Sequence, residues 1–346
     1  MDFYPSKKWN LNLGLLIKSL KANHGDCFLF RDIEEGITFI VDCGLKITYK
    51  HQIIKHTKEA NFIILTHIDE DHILGAIPLL EDVPKIFSLQ KAYLNSSDQI
   101  PLTDSHGDIS VRQAKTVDKL LSQKQIPVST LIQGQTLNIT KDLFLEIISP
   151  TKNDLIMLHQ QKFQQGSADK DIKISINSDD HDVSHLISKK DEFLNINSDI
   201  VNACSIAFIL HYKQRKLLYL SDAHPEVIAN HLENLGHSSS NKLAVDLVKL
   251  SHHGSSKSIS NRLLNLISCS NYWISTNGGK AKAKHPSPTT LAKIAVLCDR
   301  NGSESITFYF NHPISGIESR NGNLMSYDDK KKYNVIFSEI SEVEWL

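Results

Sequence analysis

Four side chains able to bind a metal, His67, Asp69, Asp71 and His72, fall within six residues of the stretch Thr66-His67-Ile68-Asp69-Glu70-Asp71-His72. Imidazoles and carboxylates packed this tightly repel and desolvate one another unless a cation shares them. The apolar run Phe62-Ile63-Ile64-Leu65 before them reads as a buried strand. The cluster then sits in the loop at the strand's end, where a rigid scaffold presents several side chains at one point. Ile73-Leu74-Gly75-Ala76-Ile77 begins a helix, so the cluster is boxed between two regular elements.

Four further segments deliver polar residues from the ends of apolar runs. Phe39-Ile40-Val41 ends in Asp42, and Lys216 to Leu220 runs into Ser221-Asp222-Ala223. Leu247-Val248-Lys249-Leu250 leads to Ser251-His252-His253-Gly254-Ser255, and Tyr272-Trp273-Ile274 leads to Asn277 and a glycine turn. His285-Pro286 follows, ahead of a helix over Ser287 to Leu297. Read from the residues alone, Asp42 caps a turn before Gly44, and Asp222 suits the N-cap of the helix over His224 to Leu235. Gly25, in Asn23-His24-Gly25-Asp26-Cys27, suits a turn with positive φ.

The His-x-Asp-x-Asp-His loop resembles the signature of the metallo-β-lactamase superfamily, whose usual form is His-x-His-x-Asp-His. Asp at the second position is similar to the branch containing the soluble domain of the competence DNA-uptake protein ComEC. The Gly-Asp-Cys turn, the Asn202-Ala203-Cys204-Ser205 segment, the strand ending in Ser-Asp-Ala, the His-His-Gly-Ser segment and the His-Pro turn resemble that branch in order, over roughly residues 11 to 312. Ser221 stands where that branch usually has Gly. The resemblance implies an α/β (α+β) fold, a four-layer αββα sandwich. We read residues 1–346 as one domain, with a polar loop insertion at 151–201 and an extension at 313–346. The segment Asn202 to Leu210 reads as a buried strand.

The resemblance also implies two divalent ions. His67 and Asp69 would hold one, Asp71, His72 and His252 the other, and Asp222 would lie between, with His253 the alternative to His252. Asp42 would orient the ligand loop without touching metal, and Asn202, Lys249 and Asn277 would stand beside the site or touch substrate. Asp71, Asp222 and the non-ligand His285 would carry catalysis, His285 by hydrogen-bonding a phosphoryl oxygen or by protonating the leaving group. The usual third-motif histidine has no clear counterpart; His181 and His185 lie in the stretch where it would be sought. Oxygen-rich ligands on the first ion suit Mn²⁺, and imidazole suits Zn²⁺ at the second.

Composition bounds the rest. With 38 Lys plus Arg against 39 Asp plus Glu, no global field announces nucleic acid or membrane as a partner. Five scattered cysteines without a C-x-x-C point to reduced thiols and a cytoplasmic setting. Leu15-Leu16-Ile17 is broken at Lys18, too short for a signal peptide core or a membrane span. The expected activity is metal-dependent phosphodiester hydrolysis, with nucleic acid or another phosphodiester as substrate. Lys249, Lys257, Lys280, Lys282 and Lys284 would lend positive charge to it. The alternatives are a small-ester or lactone hydrolase of the same fold, or a partner-dependent module. The latter would be the effector of a multi-protein system such as phage defence, with its partner from a neighbouring gene.

Overall fold

The structure, a computed structural model, describes residues 14–95, 109–160, 182–188, 190–191, 199–280, 283–300 and 302–346. The strands of its two large sheets, in chain order, are β1 (Leu15–Ser19), β2 (Phe28–Asp32), β3 (Ile37–Val41), β4 (Glu59–Leu65), β5 (Ser88–Leu94), β6 (Val128–Ser129), β7 (Thr136–Asn138), β8 (Leu143–Ser149), β9 (Ala207–Tyr212), β10 (Arg215–Tyr219), β11 (Leu247–Lys249), β12 (Asn271–Ile274), β13 (Ile306–Phe310), β14 (Val335–Ser338) and β15 (Glu342–Trp345). One sheet runs β15-β1-β2-β3-β4-β5-β6, the other β14-β13-β12-β11-β10-β9-β8-β7.

Alternation along the strands sorts side chains to the two faces of each sheet. In β3, Phe39 and Val41 point between the sheets and Ile40 points away; in β4, Ile64 points between and Ile63 and Leu65 away. Phe28, Phe30, Phe39 and Phe62 meet Leu145, Phe208, Tyr219 and Trp273 of the opposing sheet in the central core. Outside the first sheet, Leu79, Leu80, Val117 and Leu121 come from the helices Ala76–Glu81 and Ile109–Gln123. Outside the second, Ile228, Leu232, Leu291 and Ile294 come from Pro225–Asn234 and Pro288–Leu297. Helix, sheet, sheet and helix layers make the four-layer αββα sandwich expected from the sequence.

Each sheet is part antiparallel and part parallel. β3-β4-β5 are parallel in one, and β10-β11-β12-β13 in the other. The polar segments singled out above leave the carboxyl ends of β3, β4, β10, β11 and β12. Loops at the carboxyl ends of parallel strands are where such sheets build their sites.

Some local expectations are corrected. Asn202 lies in the short helix Ile200–Ala203, and the strand begins only at Ala207. The described residues of 151–201 include the helices Lys152–Gln160 and Val183–Ser188 and the start of Ile200–Ala203. The tail places an edge strand on each sheet, β14 beside β13 and β15 beside β1. The N-cap of Pro225–Asn234 is His224, which leaves Asp222 free of that duty.

Gly25 is not in the left-handed region; the positive φ of this turn, 64°, is at Asn23. Glycine is needed at 25 because a Cβ there would lie 2.0 Å from the carbonyl oxygen of Asp71. Gly25→Ala must therefore push the ligand loop away, at a cost of ~1–3 kcal/mol for an overpacked site. We expect a lower Tm of the metal-free protein together with weaker metal binding, measured by calorimetry; an unchanged Tm would show that the loop yields freely.

Candidate metal centre

His67, His72 and Asp222 bring one donor atom each within 4.8 Å of one another, and so do Asp71, His72 and His253. His67 Nε2 lies 3.7 Å from Asp69 Oδ2 and 3.9 Å from Asp222 Oδ2. His72 Nε2 lies 3.5 Å from Asp222 Oδ1, and His253 Nε2 3.4 Å from Asp71 Oδ2. Asp222, from the second sheet, therefore faces both histidines of the loop after β4. The floor is buried, with the side chains of His67, His72, Asp222 and His253 at 1, 0, 4 and 3% exposure. Asp69, His252 and Asp71, at 37, 25 and 23%, form the side open to water.

Each of the three inner imidazoles is held by its far nitrogen. His72 Nδ1 donates to Asp42 Oδ2 (2.8 Å), His67 Nδ1 to the Thr66 hydroxyl (3.0 Å), and His253 Nδ1 to the Ser275 carbonyl (2.8 Å). That arrangement fixes ring orientation and aims Nε2 inward, the usual way a metal-binding histidine is held. Asp42 also accepts from the Thr66 N–H (2.8 Å) and hydroxyl (2.8 Å), so it braces the loop from behind. At the centre, His67 Nε2, His72 Nε2, His253 Nε2 and Asp222 Oδ1 are buried without a hydrogen-bond partner. Buried polar atoms are nearly always satisfied, and four orphans spread over two donor groups that share His72 are explained by cations. The donor set fits a divalent metal. A third grouping, Asp26, Asp42 and His72, is the supporting layer, since His72 meets Asp42 through Nδ1.

Backbone strain concentrates in the same place. Asp42, Ser221, His252 and His253 adopt positive φ of 58°, 48°, 43° and 54°. Non-glycine residues in that region cost about 1–3 kcal/mol each and persist where their surroundings over-determine them. Ser221, in the position where glycine would be cheapest, is held by a bond from its hydroxyl to Thr66 Oγ1 (2.7 Å).

The consecutive left-handed turn separates the two histidines of the pair. His253, not His252, joins Asp71 and His72; His252 Nδ1 stands 4.0 Å from Asp222 Oδ2 on the open side. The His285 ring lies 5.3 Å from that of His252 and 6.2 Å from that of His253, with its Nδ1 buried and unpartnered. Its carbonyl accepts from Asn321 Nδ2 (2.7 Å). Asn277 N–H donates to the Asn23 carbonyl (2.8 Å), and its Oδ1 is buried without a partner. Asn202 Nδ2 donates to Asp199 Oδ1 (3.0 Å), while Asp199 Oδ2 pairs with His224 Nε2 (2.8 Å).

Lys249 stands behind the site rather than at a substrate: it is fully buried and paired with Asp26, which corrects the expectation that it lends charge to a substrate. His185 is exposed on the helix Val183–Ser188. His181, Lys282 and the Lys280 side chain lie outside the described residues. Asp26, Thr66, Asp199, His224 and Ser275 were not singled out by sequence reasoning. The signal for Asp26 was present: a lysine inside the apolar run Leu247 to Leu250 demands a buried acid somewhere in the chain.

Electrostatics follow this geometry. Burial and the charge of His72 push His67 down to about 3. Burial lowers His253, but Asp26, Asp71 and Asp222 overcome it and hold it at about 10. His72 is likewise raised well above the ordinary histidine value, Asp222 and Asp42 outweighing burial. Burial and the neighbouring Asp71 push Asp69 up to about 8. Without metal, His72 and His253 therefore each keep a proton at neutral pH, and metal must displace those protons to bind. With Asp69 also largely protonated at that pH, we expect metal uptake near pH 7.5 to release about three protons, one each from His72 and His253 and most of one from Asp69, read by calorimetry in buffers of different ionisation enthalpy. A raised folded pKa stabilises below the unfolded value and loses that contribution as pH rises through the folded value. The metal-free Tm should thus fall between pH 7 and 10 while metal affinity rises; uptake without proton release would contradict this assignment.

No family model and no curated protein matches the chain. Solved structures similar to it are metallo-β-lactamase fold proteins and relatives of low identity. The metallo-β-lactamase fold protein YhfI from Bacillus subtilis aligns at TM-score 0.44 and 12% identity, over 96% of this chain and 99% of that one. Unliganded yeast PDE1 aligns at 0.44 and 10%, over 96% and 100%. CmlA, a diiron β-hydroxylase from Streptomyces venezuelae, aligns at 0.44 and 10% over 96% of this chain, which spans only 54% of CmlA. At this distance the likenesses carry no activity across, and the chemistry rests on the side chains themselves.

Proposed function

We propose that the chain is a metal-dependent hydrolase of phosphodiesters, nucleic acid foremost, related to the ComEC-like branch. The observation that carries the metal dependence is the set of four orphaned donor atoms on His67, His72, His253 and Asp222. His67 and Asp69 would hold one ion, Asp71, His72 and His253 the other, and Asp222 both. Mn²⁺ suits the first set and Zn²⁺ the second. Bound there, two divalent ions would supply Lewis-acid charge and lower the pKa of water.

The chain's own residues supply the rest. Asp69, Asp71 and His252 border the open side, so substrate arrives past them. His285 beside His252 is placed to hydrogen-bond a phosphoryl oxygen. Arg320 lies across Gly278, next to Asn277, and Lys284 is exposed one residue before His285. Neither has an acidic partner among the described residues, which suits an anionic substrate. The five cysteines are all free and buried, in keeping with a reducing compartment such as the cytoplasm. Among the described residues no helix is long and apolar enough to cross a membrane.

A panel of single-stranded DNA, duplex DNA, RNA, bis-p-nitrophenyl phosphate and a lactone, each with Mn²⁺, tests the reading. Phosphodiester turnover is expected; turnover of the lactone alone would overturn it.

A further inference from the structure

The ligands of the centre stand on separate loops, and one buried ion pair touches three of them. Lys249 ends β11, fully buried, with its ammonium paired to the Asp26 carboxylate and donating to the Ser221 carbonyl (3.1 Å). Asp26 is equally buried; its Oδ1 lies 3.3 Å from His253 Nδ1, and its backbone N–H donates to the Asp71 carbonyl (3.2 Å). Ser221 precedes Asp222, so the pair reaches the loops of Asp71, Asp222 and His253 at once.

Resting on the metal-centre reading above, we propose that the Asp26–Lys249 pair is a positioning device that sets the register of these loops and thereby the affinity for the ion held by Asp71, His72 and His253. Stability alone does not account for it, because desolvating two charges costs about what their attraction returns. The contacts are directional. Lys249 fixes the carbonyl of a residue in the strained left-handed region, and Asp26 steadies the far nitrogen of His253, itself at φ 54°.

The double variant Asp26→Asn/Lys249→Met removes both charges at nearly equal volume. Metal-free Tm and stepwise Mn²⁺ and Zn²⁺ binding, by competition with a chromophoric chelator, are compared with the wild type. We expect a similar metal-free Tm, an unchanged first ion and a second ion bound ~10–100-fold more weakly, the size of effect for losing a ligand's supporting partner. Should the double variant not fold, Asp26→Glu, which keeps both charges but moves the carboxylate by one methylene, is expected to show the same selective loss. Unchanged binding of both ions overturns the proposal, and so does equal weakening of both with a fall in Tm, which marks the pair as general scaffold. A wild-type protein that takes up no metal overturns the metal centre itself, and this proposal with it.

Discussion

Asp222→Ala is expected to lose the metal-induced rise in Tm and to fall more than ~10²-fold in activity, since even a supporting partner of a ligand is worth 10- to 100-fold. Asp222 faces both His67 and His72, at 3.9 and 3.5 Å. Its loss opens both halves of the centre at once. The backbone should stay in place, because the Ser221 hydroxyl is tied to Thr66 and the Ser221 carbonyl to Lys249, neither through the Asp222 side chain. A ligand at 100 times its Kd adds ~2.7 kcal/mol to stability. That increment should be present in the wild type and absent in the variant, read by thermal unfolding with and without Mn²⁺. An Asp222→Ala protein that still gains stability from metal would place the ions elsewhere.

His285→Ala is expected to keep its metal and lose ~10²- to 10³-fold in turnover, the range for losing one hydrogen-bond donor aimed at developing charge. Its ring adjoins His252 and His253 but belongs to neither set of converging donors. Of the two roles expected from the sequence, hydrogen-bonding a phosphoryl oxygen is favoured over protonating a leaving group. Burial and the neighbouring His252 and His253 hold His285 well below the ordinary histidine value, so at neutral pH it is an uncharged imidazole. Cations in the centre push it the same way. It is a hydrogen-bond donor rather than a stored proton. Wild-type turnover in His285→Ala would make the His-Pro turn structural only; loss of metal would make His285 a ligand.

What could be read in advance was what is local. His67 and Asp69 follow one apolar strand, while Asp71 and His72 fall not in the loop, as expected, but in the short helix Glu70–Ile73 that Asp69 caps, so the helix begins earlier than the apolar pattern suggested. Asp42 was legible because a strand end beside another parallel strand end is a short-range consequence of the pattern. The choice between His252 and His253 was not legible. Both follow the same strand, and only the two left-handed φ values decide which ring turns inward. Lys249 was misread because sequence reports charge and not burial, while its partner Asp26 is at the other end of the chain. The strands β14 and β15 escaped notice because they are edge strands: Glu342, Glu344 and Ile336 are exposed, and pairing rather than hydrophobic alternation places them.

The central claim is that His67, Asp69, Asp71, His72, Asp222 and His253 form one centre for two divalent ions. Elemental analysis of the purified protein after loading with Mn²⁺ or Zn²⁺ and removal of free metal tests it most directly. Close to two ions per wild-type chain are expected, with a clear loss in Asp222→Ala, since that carboxylate would serve both. A wild-type chain that retains no stoichiometric metal would contradict it.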